Sequence, residues 1–216
     1  MKKIKKEYFI AALFLCLFLV LTILVKKGKM DHIDEVIFNF IIGFKSSGMT
    51  TFMDVVSTIA STKGVIAIAL VLTIILAIKK ELKPIIFILF GTGLGAGSMK
   101  VIKEIIKRPR PEWRWTPESG YSFPSGHTIS SYMLYGVISL LLLNKVNKKW
   151  KYPLVVFLMI FVVLIGISRI YLGVHYFSDV LGSILLGSAY LSIFNVFISA
   201  DSNNDKDKTK KAIQTK

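Results

Sequence analysis

The stretch SRIYLGVHYFSD, residues 168–179, combines a cation, an imidazole and a carboxylate in Arg169, His175 and Asp179. Apolar runs flank it on both sides, at 154–167 and 180–198. These polar groups therefore lie where a bilayer begins or ends, and ionisable groups so close to hydrocarbon are functional candidates. If the stretch is helical, His175 and Asp179 share one face about one turn apart. That spacing suits a carboxylate that orients an imidazole.

The rest of the chain is predicted to be membrane-embedded helix. Hydrophobic residues make up 53% of the 216 and come in blocks, which is too apolar for a soluble domain of this size. A hydrocarbon core about 30 Å thick needs roughly 17 to 25 helical residues. We therefore predict an all-α integral membrane protein with six transmembrane helices, at 8–25, 52–78, 84–107, 128–143, 153–167 and 176–198. One domain is expected over residues 1–200, followed by a polar, disordered cytoplasmic tail over 201–216.

The N-terminal region is predicted to contain the first span, as an uncleaved membrane anchor, and then an amphipathic helix. A basic start before an apolar run is also typical of a cleaved signal, but Val25-Lys26-Lys27 follows here instead of a small-x-small site. We expect an uncleaved anchor. Apolar residues then recur at helical spacing over 31–44, which predicts an amphipathic helix in the membrane interface. His32 and Asp34, near its start, are expected in a solvated cap region rather than a metal site.

Four alternate glycines occupy the third predicted span, at positions 91, 93, 95 and 97. The run GTGLGA resembles a dinucleotide-binding fingerprint, but that motif follows a strand of a parallel sheet. In a membrane helix, the pairs Gly91/Gly95 and Gly93/Gly97 predict close packing against neighbouring helices.

The lysines predict the orientation in the membrane. With a cytoplasmic N-terminus, six spans place the lysines of 2–6, 79–83, 145–151 and the tail inside, as the positive-inside rule requires. Lysines at 26–29 are a mild exception. The basic cluster 103–114 also lies outside, on the same side as 168–179. We expect cytoplasmic termini and an extracytoplasmic site in a multi-pass protein of the plasma membrane, and the composition suits a bacterium.

A basic loop follows the third span. Lys103 and Arg110 are seven residues apart, or two helical turns, so they can point the same way until Pro109 and Pro111 end the helix. The loop is expected to meet the 168–179 stretch at one membrane face.

The fourth span begins with a second group of polar residues. Ser125 and Gly126 lie at its predicted N-terminus, where free N–H groups and the helix dipole favour an anion. Together with the cations Lys103, Arg110 and Arg169, and with the imidazoles of His127 and His175, they would form a pocket suited to a phosphate.

Three sequence patterns resemble the signature of the type 2 phosphatidic acid phosphatase family of membrane lipid phosphatases. They are Lys-x6-Arg-Pro at 103–111, Pro-Ser-Gly-His at 124–127 and Ser-Arg-x5-His-x3-Asp at 168–179. All three match in order and spacing, and the six-helix layout is similar. The resemblance implies hydrolysis of phosphatidylglycerophosphate, undecaprenyl diphosphate or phosphatidic acid.

The resemblance also implies a role for each motif residue. His175 would be the nucleophile that forms a phosphohistidine. Asp179 would orient its ring, and His127 would be the general acid. The phosphate-binding residues would be Lys103, Arg110, Ser125, Gly126 and Arg169. No metal or other cofactor is implied.

Other residues of the same loop are given other roles. Lys107, Arg108 and Arg114 are expected to be surface charges that attract anionic lipid head groups. Glu118 is expected to be a solvated loop carboxylate, with contact to a substrate head group as the alternative. The aromatic residues are expected to anchor the loop at the interface: Trp113, Trp115, Tyr121 and Phe123.

Three functions remain open on this basis. The first is a lipid phosphate phosphatase or diphosphatase acting from the outer leaflet. The second is a catalytically idle lipid binder, transporter or scaffold with the same fold. The third is an oxidation enzyme similar to the soluble vanadate-dependent haloperoxidases, although six spans favour a lipid substrate. Expected partners are a lipid phosphate substrate and membrane lipids, not nucleic acid, and no oligomeric state is indicated.

Overall fold

The computed structural model describes residues 2–145 and 148–214, with side chains over 4–143 and 149–200. Within these ranges all regular structure is helical, which confirms the all-α class. The helices are α1 (Lys2–Lys26), α2 (Asp31–Ile42), α3 (Ser47–Ile59), α4 (Thr62–Ile78), α5 (Leu82–Ile106), α6 (Gly126–Lys145), α7 (Lys148–Tyr171) and α8 (Phe177–Gln214).

Six membrane spans fit the lengths and compositions of these helices. Five are single segments: Ile4–Lys26, Leu82–Ile106, Gly126–Leu143, Lys149–Tyr171 and Phe177–Ala200. Helices α3 and α4 make a sixth when the pair is counted as one span; they are bent by 54° at their break, where one uninterrupted span over 52–78 is predicted. Ser61 explains the break, because its backbone is extended and its side chain accepts a hydrogen bond from the Gly64 N–H. It thereby caps a new helix.

Helix α6 lies at the centre and packs against α4, α5, α7 and α8. Two of the four predicted packing glycines of α5 face α6, and one of these also lies close to α8. A Cβ would lie 2.9 Å from Val137 at Gly91 and 2.8 Å from Met133 at Gly95. At Gly93 and Gly97, no described neighbour lies within 4 Å of such a Cβ. The prediction of close packing is therefore right for the first pair and wrong for the second, which faces away from α6.

Helix α2 is the predicted amphipathic helix, and it packs against α7 and α8. Phe40 is 69% exposed on its outer side. Asp34 and Phe38 are buried on its inner side. The expectation that Asp34 lies in a solvated cap region is therefore wrong, because the packing of α2 against α8 covers it.

Helix α8 continues beyond the expected end of the membrane domain. Its backbone is helical to Gln214, whereas the polar composition predicts a disordered tail from residue 201. The tail side chains lie outside the described part of the chain, as do residues 215 and 216 entirely. The division of the chain at residue 200 stays a prediction.

Candidate active site

The three polar stretches meet at the end of the bundle formed by the C-terminus of α5, the N-terminus of α6 and the α7–α8 turn. His175 lies in that turn and is 2% exposed. The turn closes through the Arg169 carbonyl, which accepts hydrogen bonds from the N–H groups of Val174 at 3.2 Å and His175 at 3.3 Å. Gly173 has φ +69°, a conformation that L side chains rarely adopt. The tight α7–α8 turn therefore places His175 in the protein interior.

Asp179 lies in the first turn of α8 and contacts the His175 ring. The distance from His175 Nδ1 to Asp179 Oδ2 is 3.2 Å. The condition for a shared helical face is not met, because α8 begins only at Phe177 and His175 precedes it. Asp179 Oδ2 instead accepts a hydrogen bond from the Tyr176 N–H at 2.9 Å, so the carboxylate also caps α8. Its contact with the imidazole was predicted, but its geometry is that of a helix cap.

Arg110 determines which nitrogen of His175 carries the proton. Its Nη1 lies 3.2 Å from His175 Nε2, and a guanidinium can only donate. Nε2 is therefore the acceptor, and Nδ1 carries the hydrogen that faces Asp179. This tautomer leaves a nucleophilic lone pair on Nε2, on the side of the arginine.

Burial keeps the His175 ring neutral. It lowers the pKa of His175 to about 4, against the hydrogen bond and the charge of Asp179, which raise it. The charges of Arg169 and Arg110 add to the lowering. At neutral pH the imidazole is consequently neutral, and its Nε2 carries no proton.

Two of the predicted phosphate-binding cations are held by backbone carbonyls. Arg110 donates to Gly120 at 3.0 Å, Ser119 at 2.9 Å and Val174 at 2.9 Å. Lys103 donates from Nζ to the carbonyl of Tyr121 and, at 3.4 Å, to that of Ser122. The loop around 119–122 thus wraps the two cations that the sequence places two turns apart.

Arg169 is the third cation and is 3% exposed. Its Nη1 donates to Ser57 of α3, and its Nη2 donates to Glu118. Its Nε is buried and has no hydrogen-bond partner among the described residues. Buried donors are almost always paired in native proteins, so an unpaired one here is consistent with a site that awaits an acceptor oxygen.

Glu118 lies between two of the cations. Its carboxylate pairs with Arg169 and lies 3.7 Å from Arg110 Nη2. These two arginines lower the pKa of Glu118 although burial works to raise it. The expectation of a solvated loop carboxylate is therefore wrong: the side chain is only 25% exposed and occupies the arginine pair as an anion.

The N-terminus of α6 contributes Ser125, Gly126 and His127. Ser125 is fully buried, and its Oγ accepts from Thr128 Oγ1 at 2.9 Å. The serine hydroxyl therefore caps α6 and turns toward the helix. His127 is half-buried, and the charges of Arg169, Glu118, His175 and Arg110 all act on it, so it belongs to the same cluster.

Arg108, Asp34, Ser178 and Ser122 are site residues that the sequence did not indicate. Arg108 is only 8% exposed and donates to Asp179 Oδ1 at 2.8 Å and to Asp34 Oδ2 at 2.7 Å. The expectation of a surface charge is wrong for Arg108, because both carboxylates are buried, and right for Lys107, which is exposed. Asp34 did carry a signal, since it lies beside apolar positions of an amphipathic helix.

Trp113 and Trp115 of the loop pack on α2 and α7, whereas Phe123 is fully buried and stacks on Phe18 of α1. Trp113 stacks on Phe38 of α2 with ring centroids 4.9 Å apart, and Trp115 makes an edge contact with Tyr171 at 6.3 Å. Their exposed fractions are 37% and 38%, so each has a buried and an open side. These contacts hold the loop against α2 and α7.

Comparison with known proteins places part of the chain in a sequence family. Residues 84–202 match the profile of the PAP2 superfamily. Phosphatidylglycerophosphatase B of Bacillus subtilis (strain 168) is 43% identical over 91 residues, which are 41% of this chain and 45% of that protein. The chain thus spans less than half the length of this curated relative.

Two solved structures resemble the fold. The crystal structure of a transmembrane PAP2 type phosphatidylglycerolphosphate phosphatase from Bacillus subtilis aligns with a TM-score of 0.82 at 25% identity, covering 89% of this chain and 97% of that one. The crystal structure of Aquifex aeolicus LpxE aligns with a TM-score of 0.56 at 25% identity, covering 74% and 92%. The matched profile covers more than half of the chain and all three motifs, and the chain belongs to the PAP2 superfamily.

Proposed function

We propose that this protein is a membrane lipid phosphatase or diphosphatase that works through a phosphohistidine at His175 without a metal ion. The observation that carries the proposal is the His175 Nε2 lone pair, which faces Arg110 in a cluster where Arg169 Nε has no partner among the described residues. A phosphoryl group bound between His175 Nε2 and Arg169 Nε would contact the nucleophile on one side and the cationic donors on the others.

The reaction would proceed in two displacements. Nε2 attacks phosphorus while the bond to the lipid oxygen breaks, and His127 gives that oxygen its proton. Asp179, hydrogen-bonded to Nδ1, stabilises the positive ring that results. Water then attacks the phosphohistidine, its proton passes to His127, and inorganic phosphate leaves with the lone pair returned to Nε2.

The cations supply the charge stabilisation in this scheme. Lys103, Arg110 and Arg169 would bind the equatorial phosphate oxygens, joined by the backbone N–H groups at Ser125 and Gly126. Because Ser125 Oγ already caps α6, its backbone N–H rather than its hydroxyl is the better candidate contact. That N–H now bonds the Asp179 carbonyl at 3.2 Å and would have to release it.

The substrate is proposed from the relatives and from the membrane setting. The Bacillus subtilis relatives act on phosphatidylglycerophosphate according to their names, so this lipid is the first candidate. Undecaprenyl diphosphate and phosphatidic acid present a similar terminal phosphate and follow. The positive-inside rule supports a site on the outer face of a bacterial plasma membrane with cytoplasmic termini.

The test is phosphate release by the detergent-purified protein, with EDTA present, on each of the three lipids. His175→Ala should abolish release, with a loss of at least about 10³-fold, because no other group replaces the nucleophile. His32→Ala, which changes an exposed histidine on α2, is the matched control and should keep full activity. Alkaline quenching after labelled substrate should trap a base-stable phosphoprotein in the wild type alone.

Two outcomes would contradict the proposal. Full release by His175→Ala would exclude this nucleophile, and loss of wild-type activity in EDTA would exclude a metal-free mechanism. No release from any lipid phosphate, with unchanged biological activity of His175→Ala, would instead favour an idle lipid binder with this fold.

A further inference from the structure

A buried ionic network joins Asp179 of the third motif to two charged residues that are not motif positions, Arg108 and Asp34. It consists of Asp34 on α2, Arg108 in the loop after α5, and Ser178 and Asp179 at the start of α8. All four are buried, with exposed fractions of 1%, 8%, 0% and 0% respectively. Buried charges are retained only where they are well paired, so the arrangement has a substantial energetic consequence.

Arg108 divides its donors between the two carboxylates. Nη1 donates to Asp179 Oδ1 at 2.8 Å and to Ser178 Oγ at 2.7 Å, while Nη2 donates to Asp34 Oδ2 at 2.7 Å. These ion pairs raise the pKa of Arg108 although burial works to lower it. The guanidinium also lies over the Tyr176 ring, 3.8 Å from its centroid. Its orientation is therefore defined from three sides.

Asp34 connects the network to the N-terminus of α8. Its Oδ1 accepts from the Ser178 N–H at 2.8 Å, and its Oδ2 accepts from Ser178 Oγ at 2.7 Å. A free N–H in the first turn of a helix has no intrahelical partner, and the helix dipole favours a negative charge there. The carboxylate of α2 consequently caps α8 from another element, close to Asp179.

The two oxygens of Asp179 have separate partners. Oδ1 faces Arg108, whereas Oδ2 faces His175, the Tyr176 N–H and the Ser122 hydroxyl. A carboxylate held at both oxygens cannot rotate, so Oδ2 stays aimed at Nδ1. The pair of carboxylates around one guanidinium also carries a net negative charge, which a positive imidazole would balance.

We propose that Arg108, anchored by Asp34, is a positioning residue that holds Asp179 in the orientation needed to stabilise the cationic form of His175 during phosphoryl transfer. This rests on the function proposed above. Helix α2 thereby becomes part of the catalytic end of the molecule, because its only described buried acid supports the residue behind the nucleophile.

Arg108 and Asp34 carry opposite charges and should therefore shift the pKa of His175 in opposite directions. Removing the Arg108 cation favours a protonated imidazole, and removing the Asp34 anion disfavours it. The other charged or titratable groups of the cluster stay in place in both variants: Asp179 of α8, Arg169 of α7, His127 of α6, Lys103 of α5, and Arg110 and Glu118 of the loop.

The experiment compares the pH dependence of kcat and KM for Arg108→Met, Arg108→Lys and Asp34→Asn with the wild type on one lipid phosphate. Arg108→Met should lower kcat by about 10- to 100-fold, a usual loss when a residue that orients a functional imidazole is removed. KM should change less than about threefold, because the Arg108 guanidinium is occupied by Asp34, Ser178 and Asp179 and is not among the proposed phosphate-binding groups. Arg108→Lys should recover part of kcat.

The acid limb of the profile provides the readout that a merely structural role would not move. It should shift up by about one pH unit in Arg108→Met and down by a similar amount in Asp34→Asn. Lys107→Asn, which changes the exposed neighbouring cation, should leave the limb unchanged. Titration of the substrate phosphate is common to all variants and cancels in the comparison.

Thermal unfolding in detergent and inhibition by vanadate identify variants that fold with an intact anion pocket. If Arg108→Met does not fold, Arg108→Lys and Asp34→Asn decide the question by the same criteria. Wild-type kcat and limb position in the folded variants would overturn the inference, and so would a rise in KM at constant kcat. Failure of the proposed function is separate, since it would appear as full activity in His175→Ala.

Discussion

At the scale of single residues, His175 combines burial with a hydrogen bond to a carboxylate, and these act on its proton in opposite directions. Burial is the larger effect and lowers the pKa of His175 to about 4. The ring is therefore neutral at physiological pH, with Asp179 Oδ2 3.2 Å from its Nδ1, as the proposed nucleophile requires.

The acid side of the pH profile follows from this balance. Below about pH 4 the imidazole binds a proton at Nε2 and loses its lone pair, so we expect kcat/KM to fall by about tenfold per pH unit there. Asp179→Asn should move the limb to lower pH, because the carboxylate raises the pKa of His175, and should lower turnover by about 10²-fold or more. Lipid binding should persist. An acid limb near pH 6.5 in the wild type would contradict the burial effect.

Glu118 is expected to compete with phosphate for the arginines of the site. Its carboxylate pairs with Arg169 and lies near Arg110, so under the proposed function we expect an incoming phosphate to displace it. Glu118→Gln removes the competing charge, and inorganic phosphate and vanadate should inhibit about tenfold more strongly, equivalent to about 1.4 kcal/mol. Glu112→Gln, an exposed carboxylate of the same loop, is the control. Unchanged or weaker inhibition in Glu118→Gln would show that the carboxylate does not compete.

At the scale of elements, the bend between α3 and α4 brings a polar face of α3 to the site. Ser57 is 4% exposed there, and its hydroxyl accepts from Arg169 Nη1. Without the break at Ser61, this second span would be a straight apolar helix like the others. The polar first half of the predicted span thus has a specific partner on α7.

Ser57→Ala should weaken phosphate binding through loss of this support. A hydrogen bond to a charged group contributes about 1.5 kcal/mol, so we expect the inhibition constant of inorganic phosphate to rise about tenfold. Thr58→Ala changes the adjacent exposed residue and should have no such effect. Equal inhibition constants for the two variants would mean that Arg169 is positioned without α3.

In the whole molecule, the candidate site lies at one end of the bundle. Helices α5 and α7 end there, and helices α6 and α8 begin there. Five single spans and one bent pair make this arrangement compatible with termini on the opposite side. The exposed apolar surface of α1, α4 and α5 is consistent with contact to lipid.

Cysteine labelling tests the orientation. After Cys16→Ser removes the one cysteine of the sequence, Glu112→Cys introduces a thiol in the exposed loop and Lys79→Cys one at the end of α4. A membrane-impermeant maleimide should label the loop thiol in intact cells and the α4 thiol only after lysis. The reverse pattern would place the site in the cytoplasm.

The helical class, five single-helix spans and the motif residues that meet in the site were predictable from local sequence; those residues are Lys103, Arg110, His127, Arg169 and His175. Span length depends on local apolar composition, and motif spacing is a property of the chain. Tertiary structure alone decided which other charges are buried. Arg108 and Lys107 are adjacent in sequence, yet one pairs with Asp34 from 74 residues away and the other is exposed. Only the packing of α2 against α8 creates that difference, and no local pattern encodes it.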